Sequence, residues 1–246
     1  MLRDRLIDTA VRLGIDDQLR TIRATLYPVY RRQRSDNQNL RLLLQSSLTE
    51  YSNCVDVGAY RGRVLAEIVR VAPHGKHIAY EPLPHIYKYL VEHFPSVEVR
   101  QAGVSNEEGE TTFTYVKNIP ARSGFRERLF AETEQVEKLT VRTETLDRNL
   151  PAGYIPALIK IDVEGAERQV IEGAIETISK HKPIIIFEHG KGGASHYGTQ
   201  PHHIYALLHD EARLNIFDMD GNGPYSIPQL EEAFERDERW DYVARP

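Results

Sequence analysis

Five short apolar runs separated by amphipathic stretches constrain this chain more than any other feature. The runs cover 53–57, 76–80, 97–101, 157–161 and 184–188, and the stretches at 62–72, 84–94 and 165–180 carry apolar residues at helical spacing. Strands that are apolar on both faces and joined by helices predict an α/β fold, a parallel sheet covered on both sides. Right-handed crossovers make such a sheet doubly wound, with ligands at the carboxyl ends of its strands. Two segments depart from the pattern. Residues 110–117 (ETTFTYVK) and 137–145 (EKLTVRTET) alternate like antiparallel strands, which predicts a β-hairpin inserted at about 109–146. The tail adds a helix near 202–209, a strand at 214–218, a helix near 228–236 and a last strand at 240–244. Seven strands with the last one antiparallel fit this order.

The N-terminal part reads differently. Helices are expected at 2–13 and 15–30, with Tyr27-Pro28 ending or kinking the second, and 31–39 (RRQRSDNQN) forms a polar break. Asp36 then caps a helix carrying Leu40, Leu42, Leu43, Leu44 and Leu48, apolar enough that it must pack against the body. The expected organisation is an N-terminal helical cap at 1–50 and one domain at 51–246. Residues 1–35 hold eight arginines against four aspartates, so they carry +4 while the remainder carries −9 of the overall −5. That acidic total argues against a nucleic-acid partner. The basic segment would serve for peripheral contact with an anionic membrane surface, a phosphorylated substrate or an acidic neighbour, or would be a solvated helix surface, and with the leucine-rich 40–48 stretch it offers a homodimer face.

The hydrophobic share, 41%, excludes a disordered chain. No stretch approaches the roughly 18 consecutive apolar residues of a membrane span. The first 20 residues lack the unbroken apolar centre of a secretory signal. A single cysteine, Cys54, excludes an internal disulfide and a multi-cysteine zinc site, and the expected location is the cytoplasm.

Polar residues gather where the apolar runs end. The first run closes Val55-Asp56-Val57-Gly58-Ala59-Tyr60-Arg61-Gly62, with glycines spaced G-x-x-x-G rather than G-x-G-x-x-G. A glycine there permits a sharp turn and close approach by a ligand, and Asp56 favours a cationic ligand over a diphosphate. The second run closes Tyr80-Glu81-Pro82, and a carboxylate at that place can accept both hydroxyls of a ribose. The fourth reads Leu158-Ile159-Lys160-Ile161-Asp162-Val163-Glu164-Gly165-Ala166-Glu167. Asp162 is expected at the ligand crevice, while Glu164 and Glu167 either join it or complement a helix dipole. The fifth ends Phe187-Glu188-His189-Gly190, placing a carboxylate and an imidazole at the crevice mouth, followed by a glycine-rich segment containing His196.

Taken together, VDVGAYRG, YEP, IKIDVEGAE and IIIFEHG resemble the FkbM-type S-adenosylmethionine-dependent methyltransferases over roughly 53–190. The hairpin and the TLDR at Thr145–Arg148 match in position and kind, while Tyr60 stands where that family commonly has Asn. The resemblance implies a seven-stranded Rossmann-like methyltransferase sheet and O-methylation of a hydroxyl on a sugar or secondary metabolite, a small-molecule or glycan acceptor. It places S-adenosyl-L-methionine against Asp56, Gly58, Ala59, Tyr60, Gly62, Glu81, Pro82, Gln101, Val104 and Asp162, with Gln101 toward the adenine. His189 is the expected base, with Glu188 or Asp162 orienting it or acting instead. Alternatively Asp162, Glu188 and His189 hold Mg²⁺ or Mn²⁺. Arg122, Ser123, Arg126, Glu164 and His196 are the expected acceptor contacts, with Arg128 on the same loop. Two other readings stay open: a nicotinamide-dependent sugar oxidoreductase, which the glycine spacing disfavours, and a methyltransferase-like scaffold without turnover.

Overall fold

The computed structural model describes residues 28–118, 123–125, 135–237 and 239–246. The helix expected at 2–13, and most of that expected at 15–30, lie outside the described residues. The chain divides into two units at Ser46 and Ser47. The first contributes one described helix, α1 (Pro28–Ser47), which runs straight through the expected break at 31–39. Proline in the first turn loses no hydrogen bond, and the Arg, Gln and Leu that follow are good helix formers. Asp36 is therefore no cap. It is buried mid-helix and pairs with Arg32 one turn earlier, at 2.7 Å.

The second unit begins with β1 (Asn53–Val57), α2 (Arg63–Val71), β2 (Ile78–Tyr80), α3 (Pro84–His93) and β3 (Glu98–Arg100). An insertion follows: β4 (Gly103–Val104), β5 (Gly109–Val116) and β6 (Val136–Glu144). The chain continues with α4 (Leu146–Asn149), β7 (Pro156–Ile161), α5 (Glu167–Glu172), α6 (Ile175–His181) and β8 (Ile184–Glu188). It closes with α7 (Lys191–Ala194), a 3₁₀ turn (Ser195–Tyr197), α8 (Pro201–Tyr205), a π-helical turn (Ala206–Glu211), β9 (Asn215–Asp218), α9 (Ile227–Arg236) and β10 (Asp241–Arg245).

The main sheet has seven strands in the order β3-β2-β1-β7-β8-β10-β9. Neighbours from β3 to β8 pair in parallel, and β10 is antiparallel to both β8 and β9. The doubly wound sheet with one reversed last strand is thus as the sequence predicts. The inserted hairpin pairs Gly109–Val116 with Val136–Glu144, and β4 adds a third, parallel strand to it. The stretch expected as one helix at 165–180 is two, broken at Gly173, where the Ser105 carbonyl comes so close that only glycine fits. No helix among the described residues is long and apolar enough to cross a membrane.

Register decides which side chains share a face. Val57, Ile161 and Phe187 stand side by side across β1, β7 and β8, and all are buried in one apolar cluster with Tyr242, Leu208 and Leu230. Asp56, Lys160 and Ile186 are the next row, on the opposite face. Two residues further along β7 and β8, the same face carries Asp162 and Glu188.

Candidate active site

The carboxyl ends of the parallel strands open into a crevice. Its lining comes from the turns after β1 (Val57, Gly58, Tyr60), β2 (Tyr80, Glu81, Pro82, Leu83), β3 (Ala102, Gly103, Val104) and β7 (Asp162, Val163, Glu164), with Phe113, Ser123 and Phe125 from the insertion. Gly58 has φ +75, and a Cβ there would run into the Asp162 carbonyl, so the β1 and β7 turns touch only because this residue has no side chain. Tyr60 also sits in left-handed backbone, φ 48. Asn adopts that region more readily than Tyr.

Glu81 is buried at the crevice wall. Its Oε2 accepts the Tyr60 N–H at 3.0 Å and its Oε1 the Leu83 N–H at 2.9 Å. Desolvation pushes its carboxyl up to about 7, although both N–H donors act to lower it. The two bonds fix the carboxylate while leaving lone pairs for further donors.

Beneath the Gly58 turn lies a cation that reading the motifs overlooked. The Lys160 ammonium donates to the Gly58 carbonyl at 2.8 Å, and stands 3.2 Å from Asp56 Oδ1 and 3.5 Å from Asp162 Oδ2. Burial alone would favour the neutral amine. The carboxylates of Asp56 and Asp162 outweigh it and hold Lys160 above the ordinary lysine range. The signal was present in the sequence. A lysine inside the run LIKI has to find a buried partner, and Asp56 is its cross-strand neighbour.

At the β7 end, Glu164 (φ 59) and Gly165 (φ 111) form a tight left-handed turn. Glu167 braces it, one carboxylate oxygen accepting the N–H groups of Val163 (3.2 Å) and Gly165 (2.9 Å). Burial pushes this carboxyl up to about 7. Carboxylate oxygens of Asp162, Glu164 and Glu188 converge within 4.8 Å of one another. Burial, and then the charges of Asp162, Glu164, Glu167 and Asp241, push Glu188 well above the usual carboxylate range.

The structure brings together Gly58, Tyr60, Glu81, Pro82, Val104, Asp162, Glu164 and Ser123 from the expected set on the crevice wall, and Glu188 adjoins it through Asp162 and Glu164. Others stand elsewhere. Asp56 is fully buried under the turn and its partner is Lys160. Ala59 packs in the apolar cluster with Leu65 and Leu90. Gly62 precedes α2 with φ 73, and its missing side chain makes room for the Phe94 ring. Gln101 is exposed on a separate groove with Arg100, Arg142, Glu144 and Asn149, because its neighbours Ala102 and Gly103 take the inward places. His196 is exposed on the 3₁₀ turn, and Arg122, Arg126 and Arg128 lie outside the described residues.

His189 is the main correction. Its N–H extends the ladder to Trp240 of the β10 side at 2.6 Å, so it continues the strand and points opposite to Glu188. The ring is buried, stacks on Phe234 at 4.9 Å between centroids, and neither nitrogen has a hydrogen-bond partner among the described residues. Desolvation pushes it down to about 4. Its ring stands outside both the crevice lining and the cluster that holds Asp162 and Glu188. The convergent third group is Glu164.

The chain resembles proteins already known. The curated methyltransferase sdnD of Sordaria araneosa is 27% identical over 155 aligned positions, covering 50% of this chain and 60% of that protein. A solved FkbM methyltransferase from Methylobacillus flagellatus superposes with a TM-score of 0.50 at 16% identity, over 80% of this chain and 44% of that one. A TehB-like SAM-dependent methyltransferase from Corynebacterium glutamicum gives 0.45 at 10% identity, over 84% and 85%. This chain therefore spans about half the length of the first two relatives it matches. The methyltransferase FkbM domain model matches residues 56–214, from Asp56 past every strand end that lines the crevice, and the chain belongs to that family.

Proposed function

We propose that this chain is an S-adenosylmethionine-dependent O-methyltransferase acting on a hydroxyl of a sugar or glycosylated secondary metabolite. One observation carries the reading: Glu81, pinned by two backbone donors, faces the same crevice as the Gly58 turn and Asp162. The residues fit the cofactor. Glu81 has acceptor capacity for two ribose hydroxyls, the Gly58 turn gives backbone access, and Asp162 with Glu164 supplies negative charge suited to a cationic centre. When bound, S-adenosylmethionine supplies an activated methyl group on a sulfonium.

The chain's own work is to align the acceptor and take its proton. Glu188 is the residue for that proton. Burial and the crowding by carboxylates raise its basicity well above that of an ordinary carboxylate, and its position beside Asp162 and Glu164 puts it at the crevice edge. A second reading rests on the three convergent oxygens: they would suit Mg²⁺ or Mn²⁺, which would acidify the hydroxyl. Activity surviving excess chelator leaves Glu188 alone with the task; loss restored by Mg²⁺ moves it to the cation.

The deciding experiment incubates the protein with S-adenosylmethionine and a panel of hydroxylated acceptors and reads the mass gain of one CH₂. Thermal stabilisation by S-adenosylhomocysteine but not by NAD or NADP separates the reading from an oxidoreductase. Stabilisation without methylation of any acceptor in the panel speaks for a scaffold without turnover.

A further inference from the structure

The crevice lining is of two chemical kinds. Carboxylates of Glu81, Asp162 and Glu164 face it together with the apolar Leu83, Ala102, Val104, Phe113 and Phe125. Leu83 and Ala102 come from turns of the sheet, and the two aromatic rings from the inserted hairpin. Gly124 pairs with Thr114 through both backbone bonds, at 2.8 and 3.1 Å, which lays 123–125 against β5. The Phe125 N–H donates to the Tyr197 hydroxyl at 2.9 Å, fastening the same three residues on the other side. Phe125 then meets Phe113 edge to face, at 5.4 Å and 85°, and its ring lies over Gly103 in the space a side chain there would fill.

Ser123 supplies a polar mark on this wall. The residue is buried and lines the crevice, and its Oγ accepts the Val116 N–H at 3.0 Å. Its own proton has no acceptor among the described residues. A flat apolar surface beside one unspent donor suits a heteroaromatic ring with ring-nitrogen acceptors. The order along the sheet edge says which ring. Asp162, Gly58 and Glu81 follow one another across β7, β1 and β2, and Ala102 to Val104 come next, after β3. A nucleoside whose ribose is held at Glu81 has its base one strand further, against Phe125.

We propose that Phe125 and Ser123 form the purine-recognition wall of the nucleoside site, with Phe125 packing on the base and Ser123 donating to a ring nitrogen. This rests on the cofactor reading above and removes 123–125 from the acceptor site. The test is calorimetric titration of S-adenosylhomocysteine into the full chain and its variants. Phe125→Ala weakens binding about tenfold or more, as loss of base–aromatic stacking does, while Phe125→Tyr stays near the wild-type affinity. Ser123→Ala weakens it by a smaller factor, and Gly103→Ala, which displaces the ring without deleting it, reproduces the Phe125→Ala loss. A Phe125→Ala protein that binds S-adenosylhomocysteine as tightly as wild type overturns the proposal, and a raised acceptor KM beside that unchanged affinity would assign the wall to the acceptor. A wild-type protein that binds no S-adenosylhomocysteine defeats the cofactor reading and this wall with it.

Discussion

The two halves of the strand-end rim handle buried charge in opposite ways. Around β1, β2 and the inner end of β7, the carboxylates are matched: Asp56 by Lys160, Glu81 by two backbone donors, Glu167 by the turn it braces. Around β8, Glu188 has neither a hydrogen bond nor an ion pair among the described residues and faces four other carboxylates. Matched charges hold geometry, and an unmatched one stores reactivity. On the function proposed above, the contrast separates a positioning half of the rim from a proton-handling half.

The sharpest way to break that contrast is Glu188→Gln. If Glu188 receives the acceptor proton, kcat falls by about 10²–10⁴ while S-adenosylhomocysteine affinity holds, measured by initial rates beside calorimetry. A loss of affinity with little change in kcat would put Glu188 among the positioning groups.

Next in size is Lys160→Met, which strands Asp56 in the core. Denaturant unfolding should show a loss of about 3–5 kcal/mol, most of it recovered in the Asp56→Asn/Lys160→Met double variant. The double variant should still bind S-adenosylhomocysteine more weakly than wild type, because the Gly58 carbonyl and Asp162 have lost their shared cation. Equal affinity would make the lysine a purely structural partner.

A smaller, pH-dependent effect belongs to Glu81 and Glu167, both pushed by burial up to about 7. Their native carboxyls bind protons more tightly than the unfolded ones do. Their contribution to stability is therefore complete below the ordinary carboxylate range and is lost as pH rises through about 7. Unfolding midpoints of the ligand-free protein should fall across that window, and less so in Glu81→Gln. S-adenosylhomocysteine affinity should run the other way, weakening as pH drops below about 7 and Glu81 gives up an acceptor site.

The smallest effect is expected at His189. Replacing it with Leu removes two unpartnered nitrogens and keeps most of the volume against Phe234, so stability should be unchanged or slightly higher and kcat unaltered. A large drop in kcat for His189→Leu would restore the imidazole to the mechanism.

These outcomes also mark what could be read from the chain alone. The strands at 53–57 and 184–188 coincide with those observed, because a fully buried parallel strand writes itself as a continuous apolar run. Gly58 and Glu81 were legible from turn chemistry at strand ends. His189 stands apart for a reason of parity: the strand pairing runs on through it, and neighbours on an extended chain face opposite ways, so its ring turns from Glu188 to Phe234. Whether the ladder ran on through His189 depended on a Trp240 carbonyl more than 50 residues away. Gln101 and the 31–39 break failed similarly, since a polar residue next to an apolar run does not say which side it faces, and a charged stretch can be good helix. The place of Phe125 over Gly103 was illegible because it depends on the pairing of Gly124 with Thr114 in the insertion.

The sheet order has a consequence for assembly. β10, near the end of the described chain, lies between β8 and β9 and is antiparallel to both. During synthesis the β8 edge stays unpaired until Tyr242 to Ala244 leave the ribosome. Glu188 is thus set in place among the last features of the fold, long after the turns that carry Gly58 and Glu81 have emerged.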